Sequence, residues 1–170
     1  MKDFLTLASE RYSVRKYDTR EIEDEKLEKI LKAGQIAPSA NNYQPQRVFV
    51  IKSEEGLEKI RAFTPYCFEA PVILLICYDK NVSWKAIDGQ DSGIVDASIA
   101  ITQMMLEAWD LGIGSLWVRG YDKRKLDELF DLPENLVSVA LLPLGYPSDK
   151  SKPVGLHFKN VSLDEMVSYL

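Results

Sequence analysis

At 170 residues the chain suits one compact domain, expected to span 1–170, and a hydrophobic fraction of 46% is enough to fill its core. A net charge of -5 argues against nucleic acid as the main partner, because phosphate backbones are bound by basic surfaces. No basic segment leads into an apolar run, and the longest apolar stretch, Pro71–Cys77, is far too short for a bilayer; no membrane partner is expected and the default location is cytoplasmic. Cys67 and Cys77 form neither a Cys-x-x-Cys pair nor a metal-ligand spacing, so both are expected to pack as small buried hydrophobes, with no metal bound.

In chain order, Phe4, Leu5, Leu7 and Ala8 recur at near-helical spacing and predict a first helix over Asp3–Glu10. Leu27, Ile30 and Leu31 form the stripe of a second over Glu23–Ala33, with acids in its first turn and Gly34 placed as a C-terminal cap. Two prolines and two asparagines make Pro38–Pro45 a loop. A strand over Arg47–Lys52, a helix over Ser53–Phe63 and a buried strand over Pro71–Tyr78 follow, then a polar, irregular segment over Lys80–Gly93. The helix expected over Ile94–Leu111 is apolar nearly all round and should be the central one. A strand over Ser115–Val118, a helix over Lys123–Phe130, a strand over Val137–Leu144 and a last helix over Ser162–Tyr169 complete the chain. The order predicts an α+β or α/β fold with a sheet of about four or five strands.

Four polar segments are candidates for a site. In an extended stretch, residues i, i+2 and i+4 share a face, so Arg11, Ser13 and Arg15 can converge on one anion, for which guanidinium is the preferred side chain. Taken alone, a solvated turn after a helix explains them better. Ser39, Asn41, Asn42 and Gln44 offer paired donors and acceptors that match an amide-like ligand edge, or that bond their own backbone. Gly112 and Gly114 allow close backbone approach in Leu111–Trp117, but they follow a helix and are not a dinucleotide fingerprint. Lys150 and Lys152 lie just after the last strand, as phosphate donors or as ordinary solvated lysines.

The order of these segments is more specific than any one of them. Arg11–Arg15, Ala37–Pro45, Leu111–Trp117 and Leu144–Lys152 together resemble the nitroreductase family over nearly the whole chain, and Asp96-Ala97 and Ser162–Met166 look like family features too. The resemblance implies an α+β, three-layer fold with a mixed, mainly antiparallel sheet, and an intertwined homodimer with two FMN sites at its interface. It implies that Arg11 and Ser13 hold the FMN phosphate together with Lys150 and Lys152, with Tyr12 between them as part of the flavin cradle. Arg15 would sit near the pyrimidine end of the flavin, where a cation opposes the charge that reduction brings. Asn42 and Gln44 would meet the ring's polar edge, Pro38, Ser39 and Ala40 of the partner subunit would line the site, and the backbone of Ile113, Gly114 and Ser115 would lie close to the flavin.

The chemistry implied is carried by FMN, with no catalytic side chain. NADH or NADPH would act as a transient donor in a ping-pong reduction of nitroaromatics, quinones or similar small conjugated acceptors. Two alternatives stand beside it: a specialised flavin reaction such as reductive dehalogenation, and a flavin-binding protein with little turnover, suggested by the short Lys80–Gly93 segment. The sequence departs from the family pattern at Gln46, where an aromatic residue is common, and at Lys152, where arginine is. His157, the sole histidine, is expected to have an incidental packing or surface role, and Trp84, Tyr43 and Phe68 are expected to pack.

Overall fold

The structure, a computed structural model, describes residues 3–170. Helix α1 (Phe4–Glu10) begins where the Asp3 side chain accepts the Thr6 amide, and α3 (Glu54–Phe63) and α5 (Lys123–Leu129) begin on the side chains of Ser53 and Asp122 in the same way. Helix α2 (Asp24–Gln35) carries Asp24 and Glu25 in its first turn and Lys32 in its last, matching the helix dipole. It runs through Gly34 instead of being capped there. Gly34 is buried, and a Cβ on it would lie 2.8 Å from the Met104 sulfur, so the glycine serves the close approach of α2 to α4 (Gly93–Asp110).

Strands β1 (Gln46–Ile51), β2 (Val72–Asp79), β3 (Gly114–Ser115) and β4 (Leu136–Gly145) form one sheet in the order β1-β2-β4-β3, each pair antiparallel. The mixed character expected of the sheet rests on a parallel bridge between Ser13 and Ser115. The continuous apolar run of β2 reflects burial of both its faces. Val72, Leu74, Ile76 and Tyr78 pack with Leu27 and Ile30 of α2 and Ala97, Ile101 and Met104 of α4. Ile73, Leu75 and Cys77 pack on the other side with Leu57 and Ile60 of α3 and Leu126 of α5. The result is the three-layer α+β architecture, with helices on both faces of the sheet. Both cysteines are buried and free.

Three expected elements differ. The strand expected over Ser115–Val118 pairs continuously only as β3, then returns to β4 at a single bridge between Val118 and Leu141. The cause is Pro143: its carbonyl accepts the Leu116 amide at 3.3 Å, but it has no N–H to give back, and the ladder breaks there. The last helix shrinks to α6 (Leu163–Met166), because every residue of it is exposed and so short a helix has no packed face to hold it. The irregular Lys80–Gly93 segment contains a small hairpin, bridged at Lys85 and Asp91, with the Ala86 amide donating to the Gln90 carbonyl at 2.8 Å.

Candidate functional site

Helix α1 stops at Arg11, whose amide still donates to Leu7 at 3.1 Å, and the chain then runs extended past the edge of the sheet. Val14 is fully buried and donates its amide to the Ser115 carbonyl at 3.0 Å. The space for it exists because residue 114 is glycine: a Cβ there would sit 2.4 Å from Val14 Cγ2. With Val14 turned inward, strand alternation places Ser13 and Arg15 on the opposite face. The other flank of the segment is held by the chain after β4. Ser148 donates its amide to the Lys16 carbonyl at 3.0 Å, and the Tyr12 hydroxyl meets Ser151 Oγ at 3.1 Å. Ser151 lies between Lys150 and Lys152 in the chain, so the segment that carries these lysines passes Tyr12 and Lys16 although well over a hundred residues separate them.

Arg11 is half-buried, and its Nη1 is enclosed with no hydrogen-bond partner among the described residues. Burial alone lowers its pKa. A buried guanidinium donor without an acceptor is costly, and an anion would supply the missing acceptor. Arg11 opens on a cleft of about 570 Å³ that is also lined by Ser9, His157, Phe158 and Asn160. The His157 ring stands edge-on to Tyr12 at 6.3 Å. The sole histidine therefore borders the cluster, which no local pattern around it signals. A guanidinium with a free donor, serine hydroxyls and two lysines are the groups that bind a phosphate monoester.

The second half of the site is the loop Pro38–Pro45. Asn41, Asn42 and Gln44 adopt φ of 50, 55 and 49°, the left-handed region, and for side-chain-bearing residues this costs on the order of 1 kcal/mol each. The Gln44 amide donates to Ser39 Oγ and its Nε2 to Asn42 Oδ1, both at 2.9 Å. From outside the loop, Asp96 Oδ1 accepts the Ala40 amide at 2.9 Å. Pro38, Asn42 and Gln44 are exposed, and Ser39 and Ala40 half-buried.

Within one chain the two halves are anchored near opposite ends of α4. The loop is tied to Asp96 near the start of α4, whereas the Tyr12 ring packs edge-on to Trp109 at 5.2 Å, near its end. Thirteen residues of helix separate those anchors, about 20 Å at the helical rise.

Ile113, Gly114 and Ser115 are buried behind the first half. β4 covers one edge of Gly114 and Ser115, and Ser13–Val14 the other, so the close approach that Gly114 permits is to Val14. Beyond them, the amides of Leu116 and Val118 point at β4. By alternation the amide of Trp117 faces away from β4, a placement set by strand register that no local sequence pattern signals.

The family model described as "Nitroreductase family" matches residues 8–65 and 63–146. A protein of Archaeoglobus fulgidus, provisionally named as an NADH dehydrogenase/NAD(P)H nitroreductase, is 38% identical over 88% of each chain. The Bacillus subtilis FMN reductase [NAD(P)H] is 31% identical over 89% of this chain and 68% of its own. The crystal structure of a nitroreductase family protein from Clostridium difficile 630 superposes with a TM-score of 0.92 at 40% identity, covering 99% of this chain and 98% of the other. With its fold, its ordered motifs and these matches in agreement, the chain belongs to the nitroreductase family.

Proposed function

We propose that the protein is an FMN-dependent NAD(P)H oxidoreductase that passes electrons by a ping-pong route to nitroaromatics, quinones or related small conjugated acceptors. The observation that carries this reading is the buried, unpartnered Nη1 of Arg11, on a cleft shared with Ser9, His157 and Asn160, in a protein of net charge -5. FMN, when bound, supplies the ring that takes up and releases the electrons. The chain binds and orients it: Arg11, Ser13, Lys150 and Lys152 hold the phosphate, Tyr12 keeps Ser151 and the lysines in place, and Arg15 offsets the charge gained by the ring on reduction. The name of the Bacillus subtilis relative, an FMN reductase using NAD(P)H, supports the same pairing of cofactor and donor.

The site is read as shared by two copies of the chain. About 20 Å of α4 separates the anchor of the Pro38–Gln44 loop from that of the phosphate cradle, and a two-fold partner can bring its loop to the cradle. Apolar groups stand exposed on the elements that would meet: Ile94 and Val95 on α4, Phe4 and Leu5 on α1, and Leu156, Phe158 and Leu163 in the tail. A cytoplasmic setting fits a reduced nicotinamide donor.

Purified protein is expected to be yellow, and its flavin absorbance to bleach within seconds of anaerobic mixing with NADH or NADPH. A colourless protein that also fails to take up added FMN would overturn the assignment. A yellow protein that neither donor bleaches would leave only the binding function.

A further inference from the structure

We propose that Asp96 is a positioning residue that ties the Pro38–Gln44 loop to the base of the Trp84–Ser92 hairpin and so holds the loop in the shape that meets the cofactor. This rests on the reading of that loop as a flavin contact. Asp96 is only 3% exposed and lies in the first turn of α4, where the helix dipole favours an acidic group. Both of its oxygens are engaged. The Ala40 amide donates to Oδ1 at 2.9 Å, and Ser92 Oγ lies 2.9 Å from Oδ2. Ser92 Oγ is also 3.1 Å from the Trp84 carbonyl, so its single proton is shared between two acceptors at the base of the hairpin.

The placement matters because of what it restrains. Ala40 immediately precedes the left-handed residues Asn41, Asn42 and Gln44. The side-chain bonds of Ser39, Asn42 and Gln44 close within the loop, whereas the Asp96 bond brings in a restraint from a buried helix. A strained run of this kind keeps its shape only when its surroundings over-determine it. The hairpin on the other side of Asp96 is internally braced by the Lys85–Asp91 ion pair and presents Ile87, fully exposed, at its tip. Loop and hairpin base thus both bond one carboxyl group, while the Ser92 amide separately closes the hairpin on the Trp84 carbonyl at 3.0 Å.

The bonding pattern predicts how substitutions divide. Asp96→Ala leaves the Ala40 amide without its acceptor and removes the tie between the two segments. Asp96→Asn keeps both ties: its oxygen accepts from Ala40, and its NH2 donates to Ser92 Oγ, whose proton then serves the Trp84 carbonyl alone. Ser92→Ala cuts only the hairpin. Ile60→Val removes a methyl from the core on the far side of the sheet and controls for general destabilisation.

The test titrates FMN into each apoprotein by fluorescence, alongside Tm. Asp96→Ala should weaken FMN about tenfold or more, the scale of one lost charge-assisted hydrogen bond. Asp96→Asn should restore FMN affinity to within about threefold. Ser92→Ala should leave FMN affinity unmoved, and Ile60→Val should lower Tm with FMN affinity unchanged. The proposal is overturned if Asp96→Ala binds FMN as tightly as the parent, if Asp96→Asn fails as badly as alanine, if Ser92→Ala loses FMN too, or if Ile60→Val reproduces the losses. Failure of the parent protein itself to bind FMN would instead remove the functional reading beneath it.

Discussion

At the scale of single residues, charge and burial decide what each group can do. Arg11 is enclosed enough to lose solvent, yet its Nη1 has no protein acceptor among the described residues. Replacing it with alanine should weaken FMN binding about ten- to a hundredfold, the range expected for removing charge-assisted bonds to a phosphate, and a fluorescence titration of the apoprotein reads this directly. Unchanged affinity would return Arg11 to the role of a solvated helix end. The two thiols show the opposite case. Burial pushes Cys67 and Cys77 up from 9.0 to about 12, so both stay protonated and unreactive at neutral pH. Neither should react with a thiol reagent at pH 8 in the native protein, and both should react in denaturant. The sign of the linked stability follows. Above pH 9 the unfolded chain releases thiol protons that the folded chain retains, so these groups favour unfolding increasingly between about 9 and 12. Denaturation midpoints that stay level across that window would contradict the burial of the thiols.

Among the elements, the contact that shapes the cradle is the one between Val14 and Gly114. Changing Gly114 to alanine sets a Cβ 2.4 Å from Val14 Cγ2, which cannot be absorbed without moving the Arg11–Arg15 segment. A loss of about 1–3 kcal/mol in stability is expected, with weaker FMN retention, because overpacking at a buried backbone contact shifts the segment that carries the ligands. Shortening Val14 to alanine in the same protein should recover part of both losses. A double-mutant cycle gives the coupling, and purely additive effects would mean that the two residues do not determine each other's position.

For the whole molecule, the exposed apolar surface and the separation of the two half-sites point to the same assembly. The proposed dimer should sediment at twice the 19.3 kDa chain mass. Val95 is 59% exposed on the outer side of α4, away from the core, and Val95→Glu should shift the protein toward the monomer and release FMN, since a charge buried between two copies is not tolerated. A Val95→Glu protein that is monomeric and still yellow would show that one chain completes the site unaided.

Elements whose pattern is local and strong are legible in the chain alone. The apolar run of β2 and the stripe of α2 reveal burial without knowledge of neighbours, and the α+β class follows from their order. The sequence also brought Arg11, Ser13, Arg15, Lys150 and Lys152 forward as candidates, though only the order of the motifs raised them above ordinary surface charges. What it left open depends on partners distant in the chain. Gly34 reads as a helix cap until the Met104 sulfur is found against it, and Gly114 reads as a ligand approach until Val14 fills the space. The break after β3 comes from Pro143, and the position of His157 beside Tyr12 from a fold that brings the tail back to α1. That the Arg11–Arg15 segment and the Pro38–Pro45 loop are anchored near opposite ends of α4 emerges only once the chain is folded. Local periodicity specifies which face a residue takes, whereas the length and direction of a buried helix specify which residues can reach one ligand.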